Sequence, residues 1–419
     1  MNSTSEPVKL LIVGAGDRGS EYSKFAILHP EQAEIVGVAE PRDFYRQRMV
    51  ETHQIPAENV FPDWQAATNQ DRFADAVIIA TQDTQHEGPA ITFAEQGYHI
   101  LLEKPMSPTP EACQRIFEAV SAKDIIFAVC HVMRYTNYTR KLKELVDSGL
   151  IGDVINIQHL EPVGYWHFAH SFVRGNWRKE SESVPILLAK SVHDLDWLQY
   201  IMGSRCVQVS SFGSLRHFRS ENKPPNAASR CLDCDYEPQC PYSAKKIYPE
   251  RIEQGLTDWM ANVLTPDLTP EGITKALRNG PYGRCVYECD NDVVDHRVVN
   301  MNFEGGQTIT FTMTAFSEWE DRKTKLFGSL GQLAGDGSVI EHYDFLTDRT
   351  QVYEIQPTDQ SLMGHHGGGD YNLMASFVAA VAANDPSLIL SGPEQSLATH
   401  QMVFAAEDAR LNHRVVSLE

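Results

Sequence analysis

Long apolar runs are absent from this sequence, and so is any excess of positive charge. Hydrophobic residues make up 42% of the chain, yet no stretch approaches the roughly 20 apolar residues that a membrane-spanning helix requires. The formal net charge of −20 disfavours nucleic acid and anionic membrane surfaces, both of which attract basic proteins. We therefore expect neither a nucleic-acid partner nor a membrane partner.

We also expect neither a secretory leader nor a secreted disulfide pattern. The opening residues, MNSTSEPVKLLIVGAG, carry no basic segment, and their short apolar run enters a glycine turn, which indicates a strand rather than a signal peptide. We expect a cytoplasmic protein. The eight cysteines are not spread as in a disulfide framework, and a local cluster of them favours metal over disulfides in a reducing compartment.

The first strand is followed by three glycines in the G-x-G-x-x-G spacing. In KLLIVGAGDRG these are Gly14, Gly16 and Gly19. The first allows a tight turn, the second lets the backbone approach a pyrophosphate, and the third lets the helix pack on the sheet. Together with the intervening Asp17 and Arg18, they predict a dinucleotide-binding loop at a helix N-terminus.

An acidic residue ends the next strand. Glu40 closes AEIVGVAE, 21 residues beyond Gly19, where a carboxylate accepts hydrogen bonds from the adenosine ribose. Its charge repels a 2′-phosphate and favours NAD over NADP, although Arg42 could pair with such a phosphate.

Strands and helices then alternate as far as IIFAVCH, which predicts a doubly wound parallel sheet over residues 1–132. Loops after the strand ends should converge on the cofactor. The candidate residues in these loops are Thr81, His86, Glu103, Lys104, Arg134 and Tyr135. We expect the first four to contact the cofactor and the last two to contact the substrate.

These motifs resemble the Gfo/Idh/MocA oxidoreductases, the relatives of glucose–fructose oxidoreductase and inositol dehydrogenase. VGAGDRG, the acid of VAEP, TQDTQH, EKPMS, MRY and SVHDLD carry the resemblance, which covers essentially the whole chain. It implies a catalytic role for Lys104 near the nicotinamide. It also implies a second α/β domain, here 133–419, whose large, mostly antiparallel open sheet often makes a homodimer or homotetramer contact. Alternating apolar and polar residues in VVNMNF and TITFTMTAF around EGGQ predict a hairpin in this domain, and KLFGSLGQLAGDG predicts another strand pair with a glycine turn.

The segment LLAKSVHDLDW has the apolar spacing of a helix that carries charged residues. Lys190 and His193 would share one face, with Asp194 beside them and Asp196 one turn on. The family's histidine motif commonly has an aspartate four residues earlier, but here that position is Ala189, followed by Lys190. We expect His193 to transfer a proton and Lys190 to take part in catalysis; alternatively, Lys190 reaches solvent and His193 pairs with Asp196.

Polar and aromatic residues precede this helix in EPVGYWHFAHSFVRGNW. Aromatic rings stack on the apolar faces of sugars, while charged and amide groups bind their hydroxyls, so this region is a candidate polyol-recognition loop. Structural anchoring is the alternative for each residue. The substrate-binding candidates, with Asp194, are Glu161, Tyr165, His167, Arg174 and Trp177.

A cysteine-rich insertion occupies about 217–290. Cys231, Cys234 and Cys240 form C-x2-C-x5-C, and Cys285, or else Cys289, would complete four thiolate ligands. Such a set is typical of structural zinc, less often of an iron–sulfur cluster; three free thiols are the alternative. Further on, HHGGGDYNL predicts a turn into a helix with Asp370 as its N-cap, or else a backbone approach to the substrate.

The predicted activity is that of an NAD(P)-dependent oxidoreductase acting on CH–OH groups. Our leading hypothesis is hydride transfer to NAD from a secondary hydroxyl of a small carbohydrate substrate, namely a sugar, glycoside or cyclitol, or another polyol. The first alternative is a redox-neutral glycosidase that oxidises, eliminates and returns the hydride, with Tyr165 or His167 as a further base. The second is a non-catalytic NAD-binding regulator.

Overall fold

The computed structural model describes residues 6–254, 259–318, 320–356, 358, 363 and 365–418. Its N-terminal part alternates strands and helices, as the sequence predicts. The elements are β1 (Val8–Val13), α1 (Asp17–Leu28), β2 (Ala33–Ala39), α2 (Asp43–His53), β3 (Val60–Phe61), α3 (Trp64–Thr68), β4 (Ala76–Ile79), α4 (Glu87–Glu95), β5 (His99–Leu102), α5 (Pro110–Ser121) and β6 (Phe127–Val129).

These six strands form one parallel sheet in the order β3-β2-β1-β4-β5-β6. The sheet is buried on both faces because its strands are almost continuously apolar, as in AVII of β4, where all four residues are buried. The strand order reverses beside β1, and ligands of such sheets bind at the carboxyl ends of the strands at that point.

The rest of the chain forms a second sheet with helices. Its elements are α6 (Asn137–Asp147), β7 (Val154–Pro162), α7 (Tyr165–Phe168), α8 (Ile186–Ala189), α9 (Val192–Met202), β8 (Cys206–Ser214), α10 (Ala244–Ile247), α11 (Pro249–Glu253), α12 (Trp259–Leu264), α13 (Pro270–Asn279), β9 (His296–Phe303), β10 (Thr308–Thr314), β11 (Lys323–Gly328), β12 (Gly331–Gly335), β13 (Val339–Asp344), β14 (Arg349–Glu354), α14 (Gly369–Ala383), α15 (Pro393–Asn412) and β15 (Val416–Ser417).

Among the residues that the structure describes, the second sheet has nine strands in the order β14-β13-β12-β11-β7-β10-β9-β8-β15. Every pairing in it is antiparallel except that of β10 with β7. The predicted hairpin around EGGQ is present as β9 and β10, and KLFGSLGQLAGDG forms the predicted strand pair β11–β12. The predicted fold class, a Rossmann sheet plus a mostly antiparallel open sheet, is confirmed.

Two long C-terminal helices pack back onto the first sheet. Leu373 and Phe377 of α14 share a core with Leu10 and Ile12 of β1, and Leu397 of α15 joins the core on the other face. The domain boundary at residue 132 stays a prediction. Helices α14 and α15 follow that boundary in the sequence, yet they pack on the sheet that precedes it. Within the described residues, no helix has the length and apolar character needed to span a bilayer.

The helix predicted over LLAKSVHDLDW is interrupted. Helix α8 ends at Ala189, and α9 begins only at Val192. Lys190 and His193 therefore do not lie one turn apart on a continuous helix.

Candidate active site

The glycine loop after β1 has the geometry that a pyrophosphate-binding turn needs. Gly14 has φ +92°, and a Cβ there would lie 2.5 Å from the Ala80 carbonyl oxygen. A Cβ on Gly19 would lie 2.0 Å from the Gly14 oxygen, so Gly19 packs the helix against the turn instead of lining the cavity. Gly16 precedes α1 and lines the cavity together with Asp17. The N-terminus of α1 thus faces a large cavity, as phosphate binding requires.

Glu40 lies at the end of β2 with its carboxylate almost fully buried. It accepts hydrogen bonds from the Ala15 amide at 2.9 Å and from Arg42 Nε at 2.7 Å. Burial alone raises the pKa of Glu40, but the hydrogen bonds and charge of Arg42 hold it below its usual value. The carboxylate is therefore ionised and lines the same cavity, where a ribose would be bound.

Arg18 connects the glycine loop to two distant carboxylates. Its Nε lies 2.7 Å from Glu103 Oε1, and its Nη2 lies 2.6 Å from Asp370 Oδ1. Burial raises the pKa of Glu103, yet the charges of Arg18 and Lys104 keep it below the usual value. Asp370 is not the N-cap of α14, as the sequence suggested, because Gly368 occupies that position and Asp370 turns to Arg18.

Thr81 and His86 lie in the loop after β4. Thr81 lines the cavity. The ring of His86 is fully buried, with Nδ1 2.7 Å from the Pro105 oxygen and Nε2 3.2 Å from the Thr81 oxygen. His86 therefore joins the loops after β4 and β5 and does not line the cavity.

Lys104 lies two residues beyond the end of β5 and is half-buried in the cavity wall. The peptide bond between Lys104 and Pro105 is cis. The ammonium group donates to the carbonyl oxygen of Ala189 at 2.9 Å, the residue that replaces the family's usual aspartate. Burial lowers the pKa of Lys104, and nearby Arg18 and Lys190 act in the same direction, against Glu103.

His193, near the start of α9, lines the same cavity and is buried. Burial lowers its pKa well below the usual histidine value, and the charge of Lys104 adds to this. Its Nδ1 has no hydrogen-bond partner among the described residues. An uncharged imidazole next to a lysine ammonium can accept a proton from a hydroxyl group that both contact.

His366 is a residue that sequence reasoning missed. Its ring centroid lies 6.0 Å from that of His193, and its Nδ1 lies 3.1 Å from Asp370 Oδ2. His366 lines the cavity. The only sequence signal was the HHGGG turn, which was considered for substrate contact without a residue being singled out.

A charged cluster forms the floor of the cavity near His193. Lys190 Nζ lies 3.0 Å from Glu161 Oε1, and Arg322 Nε lies 2.9 Å from Glu161 Oε2. Asp194 lies behind them, fully buried, where it pairs with Arg322 and with His159. Glu161, Lys190 and Arg322 line the cavity, whereas Asp194 does not. Arg322 was not singled out from the sequence because its partners are more than 100 residues away.

Four other predicted substrate residues do not line the cavity, because each satisfies a structural need elsewhere. Arg134 forms a buried fork with Asp196, both bonds being 2.7 Å long. The Tyr135 hydroxyl lies 3.0 Å from Ser391 Oγ. The ring of Tyr165 lies under Lys246. Arg174 is fully buried and donates to the carbonyl oxygens of Arg284 and Tyr242, at 2.8 Å each.

The remaining candidates from the aromatic segment, His167 and Trp177, do line the cavity. Burial lowers the pKa of His167 well below its usual value, and the charge of Lys190 contributes. The glycine loop, Lys104, His193 and Trp177 all line this one cavity, which has a volume of about 1950 Å³.

The cysteine cluster does not form the predicted metal centre. Cys231, Cys234, Cys240 and Cys285 line one small cavity of about 20 Å³. However, the part of the chain that the structure describes contains no group of three or more His, Cys, Asp or Glu side chains placed to hold an ion. The zinc prediction is therefore unsupported, and the insertion is held by Arg174 and by polar contacts such as Arg178 Nε with Asp290 Oδ1 at 3.0 Å.

Known proteins resemble between about half of the chain and nearly all of it. YteT of Bacillus subtilis is 22% identical over 368 residues, 80% of each chain. A 2,7-anhydro-N-acetylneuraminate hydratase of Mediterraneibacter gnavus is 28% identical over 215 residues, 48% of this chain and 51% of that protein. A solved structure of levoglucosan dehydrogenase with NADH and L-sorbose has a TM-score of 0.72 at 16% identity, over 99% of this chain and 100% of the other.

Family models match both parts of the chain. Residues 8–131 match the NAD-binding Rossmann fold of the GFO_IDH_MocA oxidoreductase family. Residues 143–418 match the C-terminal alpha/beta domain of the same family. The glycine loop, Glu40 and the continuous cavity agree with both matches, and the chain is a member of the Gfo/Idh/MocA family of NAD-binding oxidoreductases.

Proposed function

We propose that this chain is an NAD-dependent dehydrogenase that oxidises a secondary hydroxyl of a sugar, glycoside or cyclitol. The observation that carries the proposal is the position of Lys104 and His193 in one cavity that begins at the glycine loop. Solved relatives include a sugar-derivative dehydrogenase bound to NADH, levoglucosan dehydrogenase.

The residues along the inner cavity suit an NAD molecule. Gly14, Gly16 and Asp17 would face the pyrophosphate, Glu40 the adenosine ribose, and Thr81 and Lys104 the nicotinamide end. When bound, NAD supplies the acceptor for the hydride that leaves the substrate carbon.

Proton transfer is the task of His193. The lowered pKa of His193 leaves its imidazole uncharged at neutral pH, so the ring can take the hydroxyl proton as the carbon is oxidised. The Lys104 ammonium stabilises the developing alkoxide because it is half-buried, where electrostatic stabilisation is stronger than in water. The Ala189 carbonyl orients Lys104 without adding a negative charge.

Substrate hydroxyls would meet the cluster around Glu161. This carboxylate is held by Lys190 and Arg322, so it can accept from a hydroxyl while the two cations donate to others. This chain has Ala189 at the position of the family's usual aspartate, so Glu161 would supply the carboxylate that contacts the sugar.

The test is a scan of sugars, glycosides and inositols with NAD, followed by NADH absorbance and product chromatography. We expect stoichiometric NADH and a keto product, with kcat reduced about 100-fold or more in His193→Ala and Lys104→Ala, since general acid–base catalysis typically contributes that much. His413→Asn and Lys123→Ala, at exposed positions, are matched controls. Full activity in His193→Ala would refute the assignment.

A redox-neutral reaction is the second candidate. His167, a second uncharged imidazole, lines the same cavity and could take a carbon-bound proton next to a transiently oxidised centre. One relative, which aligns with about half of this chain, is named a hydratase and not a dehydrogenase. Conversion of substrate without net formation of NADH would favour this function. His167→Asn should then abolish the conversion, whereas His413→Asn and Lys123→Ala should not.

We also propose that the chain forms a homodimer or homotetramer. The large sheet exposes apolar side chains, among them Ile155 of β7 and Phe212 of β8, and open faces of this kind are commonly buried between copies. Light scattering after gel filtration measures the oligomer, and a monomer at micromolar concentration would overturn the proposal.

A further inference from the structure

The cavity extends beyond the proposed catalytic groups into a region that the mechanism does not use. Six of its lining residues form what we name the outer subsite: Phe172, Asn176, Trp177, Asn262, Val263 and Tyr282. The first three belong to the aromatic segment after β7, and the last three belong to the cysteine-rich insertion. The insertion thus forms one wall of the substrate cavity.

The outer subsite is firmly built. The fully buried Arg174 donates to the carbonyl oxygens of Arg284 and Tyr242, which ties the aromatic segment to the insertion. The ring of Tyr282 stacks on that of His170 with centroids 4.8 Å apart. These contacts fix the two walls relative to each other, so the space between them is preformed.

The side chains of the outer subsite are uncharged. Two are amides and three are aromatic rings, and the rings of Phe172 and Trp177 lie 6.3 Å apart. Trp177 and Val263 are 36% and 43% exposed, so both present apolar surface to the open cavity. The adjacent His170 is also uncharged, because burial lowers its pKa to about 3.

Such a surface suits a neutral ring with hydroxyl groups. An indole offers a large flat apolar area to the carbon–hydrogen face of a sugar, and amides donate to and accept from hydroxyls. A phosphate or carboxylate would need cationic partners, and the outer subsite offers none among its six residues.

The size of the cavity points the same way. Its volume of about 1950 Å³ is about twice the upper end of the range of roughly 300–1,000 Å³ for single small-ligand sites. A dinucleotide at the glycine-loop end leaves room for a second ligand larger than one sugar ring.

We propose that the substrate is a neutral glycoside of at least two units, whose reacting sugar lies at His193 and whose second ring stacks on Trp177 in the outer subsite. The proposal rests on the proposed function for the reacting sugar, but the binding of the second ring does not depend on hydride transfer. Its test therefore includes a binding measurement.

Calorimetric titration of the NAD-loaded protein compares monosaccharides, the corresponding disaccharides and aryl glycosides, and sugar nucleotides. We expect at least tenfold tighter binding of the two-ring neutral ligands than of the monosaccharides, and a tenfold higher kcat/KM if turnover occurs. Equal affinities, or tightest binding of the charged sugar nucleotides, would overturn the proposal. Two-ring binding without any keto product or NADH would overturn the dehydrogenase function alone.

Variants separate stacking from general damage. Trp177→Ala should lower the affinity for the two-ring ligand at least fivefold more than that for the monosaccharide, and Trp177→Phe should restore most of the difference. Phe345→Ala, which removes an exposed ring outside the cavity, is the matched control. Equal losses for both ligands in Trp177→Ala, with an unchanged thermal unfolding midpoint, would contradict a second-ring site.

Discussion

Coenzyme preference is the property that the structure allows us to predict in most detail. Glu40 is ionised and buried at the end of β2, and Arg42 binds it through Nε at 2.7 Å and Nη2 at 3.0 Å. Arg42 is itself placed over the ring of Tyr45 at 4.1 Å. The negative charge that excludes a 2′-phosphate is therefore partly balanced by a cation that could bind one.

The perturbation is Glu40→Gln, which removes the charge at almost constant volume. At about 5 Å and an effective dielectric constant of about 20, each pair of unit charges interacts by about 3 kcal/mol. Loss of the repulsion, with Arg42 retained, should raise the ratio of kcat/KM for NADP over NAD about 100-fold. Arg42→Ala should lower the same ratio because the Glu40 charge is then uncompensated.

The assay is initial rates with NAD and NADP, supported by fluorescence titrations with NADH and NADPH that need no substrate. Glu58→Gln, at an exposed position nearby in the sequence, is the control and should leave the ratio unchanged. An unchanged ratio in Glu40→Gln, or shifts of the same sign in Glu40→Gln and Arg42→Ala, would refute the electrostatic reasoning.

Three further predictions concern pH and stability. Burial lowers the pKa of His193 far below 6.5, so kcat/KM should not fall near pH 6.5 on the acid side, and a fall there would contradict this. Burial also lowers the pKa of Lys104 below 10.5, so Lys104→Arg should move the alkaline limb of the pH profile upward. Asp194→Asn should cost about 3–5 kcal/mol in urea unfolding, since it leaves the partly buried Arg322 without one of its acidic partners. Burial alone raises the pKa of Asp194, but Arg322 holds it below 3.8. The ionised carboxylate therefore stabilises the fold above pH 3.8, and the difference in unfolding free energy between wild type and Asp194→Asn should shrink as the pH falls below that value. A difference that does not change with pH would argue against the ion pair. Arg174→Met should speed proteolysis within 217–290 while NADH still binds, and unchanged proteolysis would refute the anchoring role.

Much of the nucleotide end could be predicted from the sequence because its signals are local. Gly14, Gly16 and Glu40 lie within one strand–helix–strand unit, and the conformation of each depends on neighbours in that unit. The β9–β10 hairpin followed from alternation of apolar residues for the same reason. These elements form the proposed dinucleotide-binding end without reference to the rest of the chain.

The substrate end depended on tertiary structure. Arg322 and His366 reach the cavity from segments more than 100 residues away from His193, and no local spacing indicates that. Arg134 and Arg174 have residue types suited to a substrate, but both are buried, and a buried guanidinium must be paired within the protein. Whether an arginine meets a ligand or a carbonyl is decided by packing.

The sequence alone therefore determined the family, the two kinds of sheet and the residues at the ends of the parallel strands. Only the tertiary structure decided that the helix breaks at Lys190, that the Ala189 carbonyl accepts a hydrogen bond from Lys104, and that the insertion lines the same cavity as His193. The physical reason is that backbone geometry follows from neighbours in sequence, whereas charge pairing and cavity shape follow from neighbours in space.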